Sequence, residues 1–187
     1  MKTLVILAHP NIDESKINSA WINGAAVSKA DATIRNIYQL YPDEKIDVEL
    51  EQRLIAAHDA ILLQFPFYWF SMPPLLKKWL DDVLAPGFAY GPNVADRKLT
   101  DMPVGFAVSA GIKSKDYESD GRSIYTVKEL LAPLHATASY IGAKALEPFI
   151  FYGAEYDPSQ EDLDASVKNY LSYLNALKNS ALPEFAV

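Results

Sequence analysis

Residues 60–84 read AILLQFPFYWFSMPPLLKKWLDDVL, and they hold a strand, a loop and a helix in one unit. Ala60–Phe65 (AILLQF) is a short continuous apolar run, the pattern of a strand buried on both faces. From Pro74 the period changes. Leu75, Leu76, Trp79, Leu80, Val83 and Leu84 recur at helical spacing as one broad apolar face, with Lys77, Lys78, Asp81 and Asp82 opposite. Pro73-Pro74 suits a first helical turn, where the missing N–H has no partner to lose. Residues 66–73 are then a loop displayed between strand and helix. That loop carries Phe67, Tyr68, Trp69 and Phe70 in a row, and neighbouring side chains cannot all enter one core.

The same alternation extends both ways. Thr3–Ala8 (TLVILA) and Val104–Ser109 (VGFAVS) are further buried strands, Thr33–Tyr38 (TIRNIY) is strand-like, and Leu146–Tyr152 (LEPFIFY) is a last strand. Helical patterns cover Lys16–Ala30, Asp47–His58 with Asp47 as N-cap, Pro74–Leu84, Ile124–Ile141 and Ser159–Lys178. The fourth is interrupted near Pro133 and closed by Gly142; the last opens on a Ser159–Asp162 capping pattern. Apolar strands alternating with helices give an α/β fold, a doubly wound five-stranded parallel sheet with helices on both faces. A single domain is expected over residues 1–180, with a loose tail over 181–187. Residues 85–102 are the longest irregular stretch, and its aromatics suggest a functional excursion.

Composition narrows the function. Lys and Arg number 17 against 24 Asp and Glu, a net charge of −7, which argues against nucleic acid or an anionic membrane surface as partner. The chain has no cysteine, which excludes disulfides, thiol nucleophiles and thiolate metal sites. His9, His58 and His135 form no metal-binding pattern, so no metal is expected. The opening MKTLVILAHP is too short for a signal peptide, and the longest uncharged run, Ala60–Leu76, is broken by Pro66, Pro73 and Pro74. A cytoplasmic protein is expected. No two glycines have G-x-G spacing, so the dinucleotide fingerprint and the P-loop are both absent, and Ser109 lies in AVSAG rather than a nucleophile elbow.

In doubly wound sheets, ligands bind beyond the carboxyl ends of the strands. Three loops lie there. In the first, Ser15 and the N–H groups of residues 16–18 could hold a phosphate at a helix N-terminus, with Asn18 and His9 adding donors. Ser15 is equally readable as an ordinary N-cap. In the second, Pro66 supplies no N–H while residues 67–70 supply theirs to the edge of a flat heterocycle, and Trp69 and Phe70 wall its face. The alternative is a hydrophobic corner or a dimer interface. In the third, Ser109, Ala110 and Gly111 allow close backbone approach, and Tyr117 offers a phenolic proton or is one exposed tyrosine among eleven. Phosphate holder, aromatic wall and polar closing loop describe a flavin site better than a nicotinamide-only site.

On these stretches the chain resembles the flavodoxin-like NAD(P)H:quinone oxidoreductase family, which includes bacterial general stress reductases and ancillary reductase subunits of potassium efflux systems. The matching pieces are LVILAHP with Ser15 and Asn18, QFPFYWFSMPPLLKKWLDDVL, GFAYG at 87–91, Ser109-Ala110-Gly111 with Tyr117, and LLAPLHATASYIG. The resemblance implies that His9, Ser15, Ile17 and Asn18 hold the flavin phosphate end. It implies that Pro66, Phe67, Tyr68, Trp69 and Phe70 contact the ring, that Ser109, Ala110 and Gly111 close its pyrimidine edge, and that Tyr117 is catalytic there. Trp69 and Phe70, with Phe88 or Tyr90 of a second copy, would line the substrate pocket of a homodimer. FMN is implied over FAD, with NAD(P)H as donor, a quinone-like acceptor, and docking to a membrane transporter as an alternative role. An azo- or nitro-reductase, a further alternative, differs mainly in acceptor. In the larger animal members a histidine stands where this chain has Ser123, and Thr-Thr-Gly-Gly replaces Ser-Ala-Gly-Ile at 109–112. The tyrosine–histidine relay therefore does not carry over.

Overall fold

The computed structural model describes every residue except 1, 94, 96, 119, 180 and 187. Its strands are β1 (Thr3–Leu7), β2 (Ala32–Asn36), β3 (Ala60–Pro66), β4 (Pro103–Ala110), β5 (Lys144–Ala145) and β6 (Phe149–Tyr152). Its helices are α1 (Lys16–Val27), α2 (Ile37–Leu40), α3 (Val48–Ala56), α4 (Pro74–Val83), α5 (Val127–Leu130), α6 (Ala132–Tyr140) and α7 (Gln160–Lys178). All strand pairings are parallel, in the order β2-β1-β3-β4-β5, with β6 also beside β4. The chain leaves β1 toward β2 on one side and returns to β3 on the other. The crevice therefore opens between β1 and β3.

Alternation along the strands feeds two cores. Leu4, Ile6, Ile61, Leu63, Phe65, Phe106 and Val108 pack with α3, α4 and α6 on one face. Val5, Leu62 and Ala107 pack with Trp21 of α1 and with Tyr170, Leu174 and Leu177 of α7 on the other. Helix α4 buries Leu75, Leu76, Trp79, Leu80 and Val83, as its period requires, and leaves Lys77–Asp81 and Lys78–Asp82 as i,i+4 pairs outside. The Asp47 side chain accepts the Leu50 N–H, and Ser159 with Asp162 makes a full capping box.

Four expectations need correction. Ile37 and Tyr38 are helical rather than strand, because the Asn36 side chain caps α2 by accepting the Gln39 N–H. The helix expected over Ile124–Ile141 begins only at Val127, behind a Thr126–Glu129 capping box, and splits at Leu131, since Pro133 cannot continue the hydrogen-bond ladder. Gly142 does follow α6 at a φ of +75°. The strand expected over Leu146–Tyr152 starts only at Phe149, and Lys144–Ala145 pairs separately with β4; Pro148 lacks the N–H that would join the two pieces. Nor is the tail loose over the described residues 181–186. Glu147 donates to Pro183, Phe185 donates to Ala145, and the 3% exposed Phe185 packs on Phe106 and His135. Among the described residues no helix is long and apolar enough to cross a membrane.

Candidate active site

A pocket of about 380 Å³ lies at the carboxyl ends of the strands, within the range of small-molecule sites. The loop after β1 and the first turn of α1 contribute His9, Glu14, Ser15, Lys16 and Ile17; the end of β3 and its loop contribute Pro66, Phe67 and Tyr68; the end of β4 and the residue after it contribute Ser109 and Gly111. Ser15 is the N-cap of α1, its oxygen 3.1 Å from the Asn18 nitrogen. That bond uses the Asn18 N–H, so only Lys16 and Ile17 retain N–H groups without a partner among the described residues. These two aim the positive end of a twelve-residue helix into the pocket. His9 is 9% exposed, and burial lowers its pKa. Its Nδ1 accepts the Asn11 N–H at 3.1 Å, so the neutral ring carries its proton on Nε2, a donor rather than a cation.

The aromatic loop is a tight turn. Tyr68 and Ser71 exchange both backbone bonds, at 2.9 and 3.1 Å, around Trp69 and Phe70. Both central residues have positive φ, +48° and +63°, a turn that ordinarily takes Asn-Gly. Bulky side chains there carry strain of about 1–3 kcal/mol each. The four N–H groups expected to face a ligand reduce to two. Phe67 donates to the Ser109 carbonyl and Tyr68 to Ser71, which leaves Trp69 and Phe70 without a partner among the described residues. Trp69 is 93% exposed, and neither its ring nor that of Phe70 lines the pocket. The Phe70 ring instead meets Tyr117 edge-on at 6.4 Å.

Tyr117 is buried, not surface, among Phe67, Phe70 and Tyr152. Burial first, then the neighbouring Tyr152, Glu155 and Asp116, push its pKa up to about 12, so the phenol keeps its proton at physiological pH. Ala110 is wholly buried and its carbonyl accepts the Ala154 N–H. Asn18 is wholly buried too and points at Ser109 and Gln64 rather than into the pocket. Phe88 and Tyr90 do not join this site within one chain. Tyr90 lines a separate cavity with Thr100, Tyr140 and Gly142, residues that precede β4 and β5, at the opposite end of the sheet.

The loop after β6 was missed. Ala154, Glu155 and Asp157 complete the pocket. The Glu155 carboxylate lies so close over Gly111 that a Cβ there would clash, so the close approach at Gly111 is made by the protein itself. Lys16 pairs with Asp157 across the rim. The available signal was positional: this acidic loop also follows a strand carboxyl end.

A family model described as a flavodoxin-like fold matches residues 1–174. The chain belongs to this family. It is 43% identical over 176 residues to the uncharacterized NAD(P)H oxidoreductase YrkL of Bacillus subtilis (strain 168), covering 94% of this chain and 99% of that protein. It is 38% identical to the glutathione-regulated potassium-efflux system ancillary protein KefF of Klebsiella pneumoniae (strain 342), covering 89% and 91%. The crystal structure of general stress protein 14 from Treponema denticola in complex with FMN superposes with a TM-score of 0.88 at 41% identity, over 95% of this chain and 99% of that one.

Proposed function

We propose that the pocket between β1, β3, β4 and β6 binds a flavin and that the protein is an NAD(P)H oxidoreductase passing two electrons to a quinone-like acceptor. One observation carries this reading: a capped helix N-terminus and Tyr68, the first residue of a strained aromatic turn, share one cleft. The donor set fits the group. The Ser15 hydroxyl, the Lys16 and Ile17 N–H groups and His9 Nε2 suit its phosphate. The free N–H groups of Trp69 and Phe70 suit the polar edge of a flat ring. Glu155 has to swing off Gly111 for a ring to rest there, and its exposed side chain allows that. When bound, the flavin supplies the two-electron chemistry between donor and acceptor. The chain orients the partners, and Tyr117 holds a proton beside the pocket as a neutral donor.

FMN is favoured over FAD. Glu14 and Asp157 line the pocket beside the N-terminus of α1, and Lys16 is already paired with Asp157, so a second phosphate would add negative charge with no free cation to balance it among the described lining residues. FMN in the Treponema denticola relative and the oxidoreductase name of the Bacillus subtilis relative support the same reading. Purified protein should be yellow, and mass analysis of the released cofactor should give FMN. Colourless protein that gains no thermal stability from FMN or FAD would remove the reading. FMN at a hundred times its dissociation constant should add about 2.7 kcal/mol.

The substrate side of the cleft is completed by a second copy. Tyr90 and the 74% exposed Tyr140, edge-on at 5.5 Å, form an aromatic patch at the opposite end of the sheet, available to a second copy. Light scattering should give a dimer; a fully active monomer refutes it. Similarity to the efflux-system ancillary protein favours a second role, docking to a membrane transporter, and co-purification with a membrane protein tests it.

A further inference from the structure

A directed chain of hydrogen bonds runs from the core to the pocket. Tyr170, Gln64 and Asn18 are each 0% exposed and Ser109 is 5% exposed. The Gln64 amide nitrogen lies 3.2 Å from the main-chain oxygen of Asn18. A carbonyl oxygen only accepts, so that contact fixes which way the Gln64 amide faces. Its oxygen then takes the Tyr170 hydroxyl at 2.7 Å. Its nitrogen also lies 3.2 Å from Asn18 Oδ1, which turns Asn18 Nδ2 toward the serines. That nitrogen donates to Ser109 Oγ at 2.9 Å and approaches Ser15 Oγ at 3.4 Å. Ser15 Oγ also accepts the Asn18 main-chain N–H. Both serines are thus acceptors toward the protein. Both line the pocket, and neither O–H donates to another described residue.

We infer that Gln64 is a positioning residue: through Asn18 it forces Ser15 and Ser109 to present hydrogen-bond donors to the pocket, which selects acceptor-only groups there, a phosphoryl oxygen at Ser15. The identity of the phosphoryl-bearing ligand rests on the flavin reading; the polarity of the two serines does not. A network that merely stiffened the core would set stability without setting which ligand group the serines prefer.

The test compares dissociation constants for FMN and for riboflavin, which lacks the phosphate, on the intact chain. In Gln64→Glu at pH 8 the carboxylate cannot donate to Asn18. The Asn18 amide turns over to donate to it, and the serines turn their hydrogens to Asn18. The preference for FMN should fall by about tenfold or more, the size expected for losing hydrogen bonds to a charged group. Lowering the pH protonates the buried carboxyl, which donates again, and the variant's preference should return toward that of wild type measured at the same pH. Leu177→Ala, a core truncation outside the chain of bonds, should lower the melting temperature and leave the preference intact. If a charge at position 64 prevents folding, the apolar pair Gln64→Leu with Tyr170→Phe should lower the preference severalfold by freeing the Asn18 amide. An unchanged preference in either folded variant overturns the inference. If wild-type protein binds neither flavin, the flavin reading fails, and inorganic phosphate becomes the probe. Thermal stabilisation by phosphate that Gln64→Glu loses supports the donor face; no stabilisation of the wild type overturns it.

Discussion

The turn at 68–71 and helix α4 adjoin in the chain and are both rich in apolar side chains, yet they meet opposite fates. Trp79 on α4 is 1% exposed, and its Nε1 donates to Glu51 Oε2 at 3.1 Å. Glu51 in turn is held by Arg35 and by the Tyr41 hydroxyl at 2.7 Å, so the tryptophan caps a buried polar cluster. Trp69, ten positions earlier, is 93% exposed on a backbone that disfavours it. A helix distributes its residues by angle, and the apolar stripe finds the sheet. A two-residue turn has no such choice, because the ladder between Tyr68 and Ser71 pushes both central side chains outward. An aromatic kept where burial is impossible and the backbone is strained points to a ligand or a partner as its reason.

The largest expected effect tests the buried side. Trp79→Ala should cost about 3–5 kcal/mol in denaturant unfolding, since it opens a cavity and orphans a carboxylate oxygen. Trp69→Ala should leave stability nearly unchanged while weakening nicotinamide and acceptor binding. Equal destabilisation by the two, with kinetics intact in Trp69→Ala, would dissolve the contrast. Next, replacing the turn by its preferred pair, Trp69→Asn with Phe70→Gly, should raise stability by about 1–3 kcal/mol and lose ligand binding, read by melting temperature and titration. A drop in stability would mean that ring packing, such as that of Phe70 on Tyr117, outweighs the backbone strain.

Tyr117→Phe sharpens the comparison on the side of the turn, because its ring packs near Phe67 and Phe70. Reduction by NADPH or NADH in stopped flow should slow by about tenfold, roughly 1.4 kcal/mol, with flavin retained. An unchanged rate removes Tyr117 from the chemistry. The smallest effect is alkaline. The Tyr117 pKa is raised, so its contribution to stability is complete below the ordinary phenol value of 10 and is lost as pH rises to about 12. Tyr41 shifts alike, its burial the main cause. Wild-type protein should therefore lose stability across that window, and Tyr117→Phe slightly less of it; identical curves would place the phenol in water.

Much of the site was legible because strand ends can be read from apolar runs. Ser15 was recognisable as a cap, and Pro66 to Tyr68 and Ser109 to Gly111 follow strands that the pattern marks plainly. Asn18 was read as a ligand donor because its spacing from Ser15 is local, whereas its partners Gln64 and Ser109 lie 46 and 91 positions away. The loop after β6 went unread because its strand is short, follows Pro148, and carries no motif.

By itself the sequence determined the parallel α/β sheet, the buried face of α4, and the strand ends from which a ligand must be approached, since each follows from local period and capping. Only the tertiary structure decided which way side chains beyond those periods face. Pairing Tyr68 with Ser71 turned two aromatics outward. Burying Asn18 beneath the pocket made it a support. Bringing the Glu155 loop across β4 closed the site with acid. Each depends on contacts between residues far apart in the chain or on a backbone angle that no residue type announces, and neither leaves a periodic trace in the sequence.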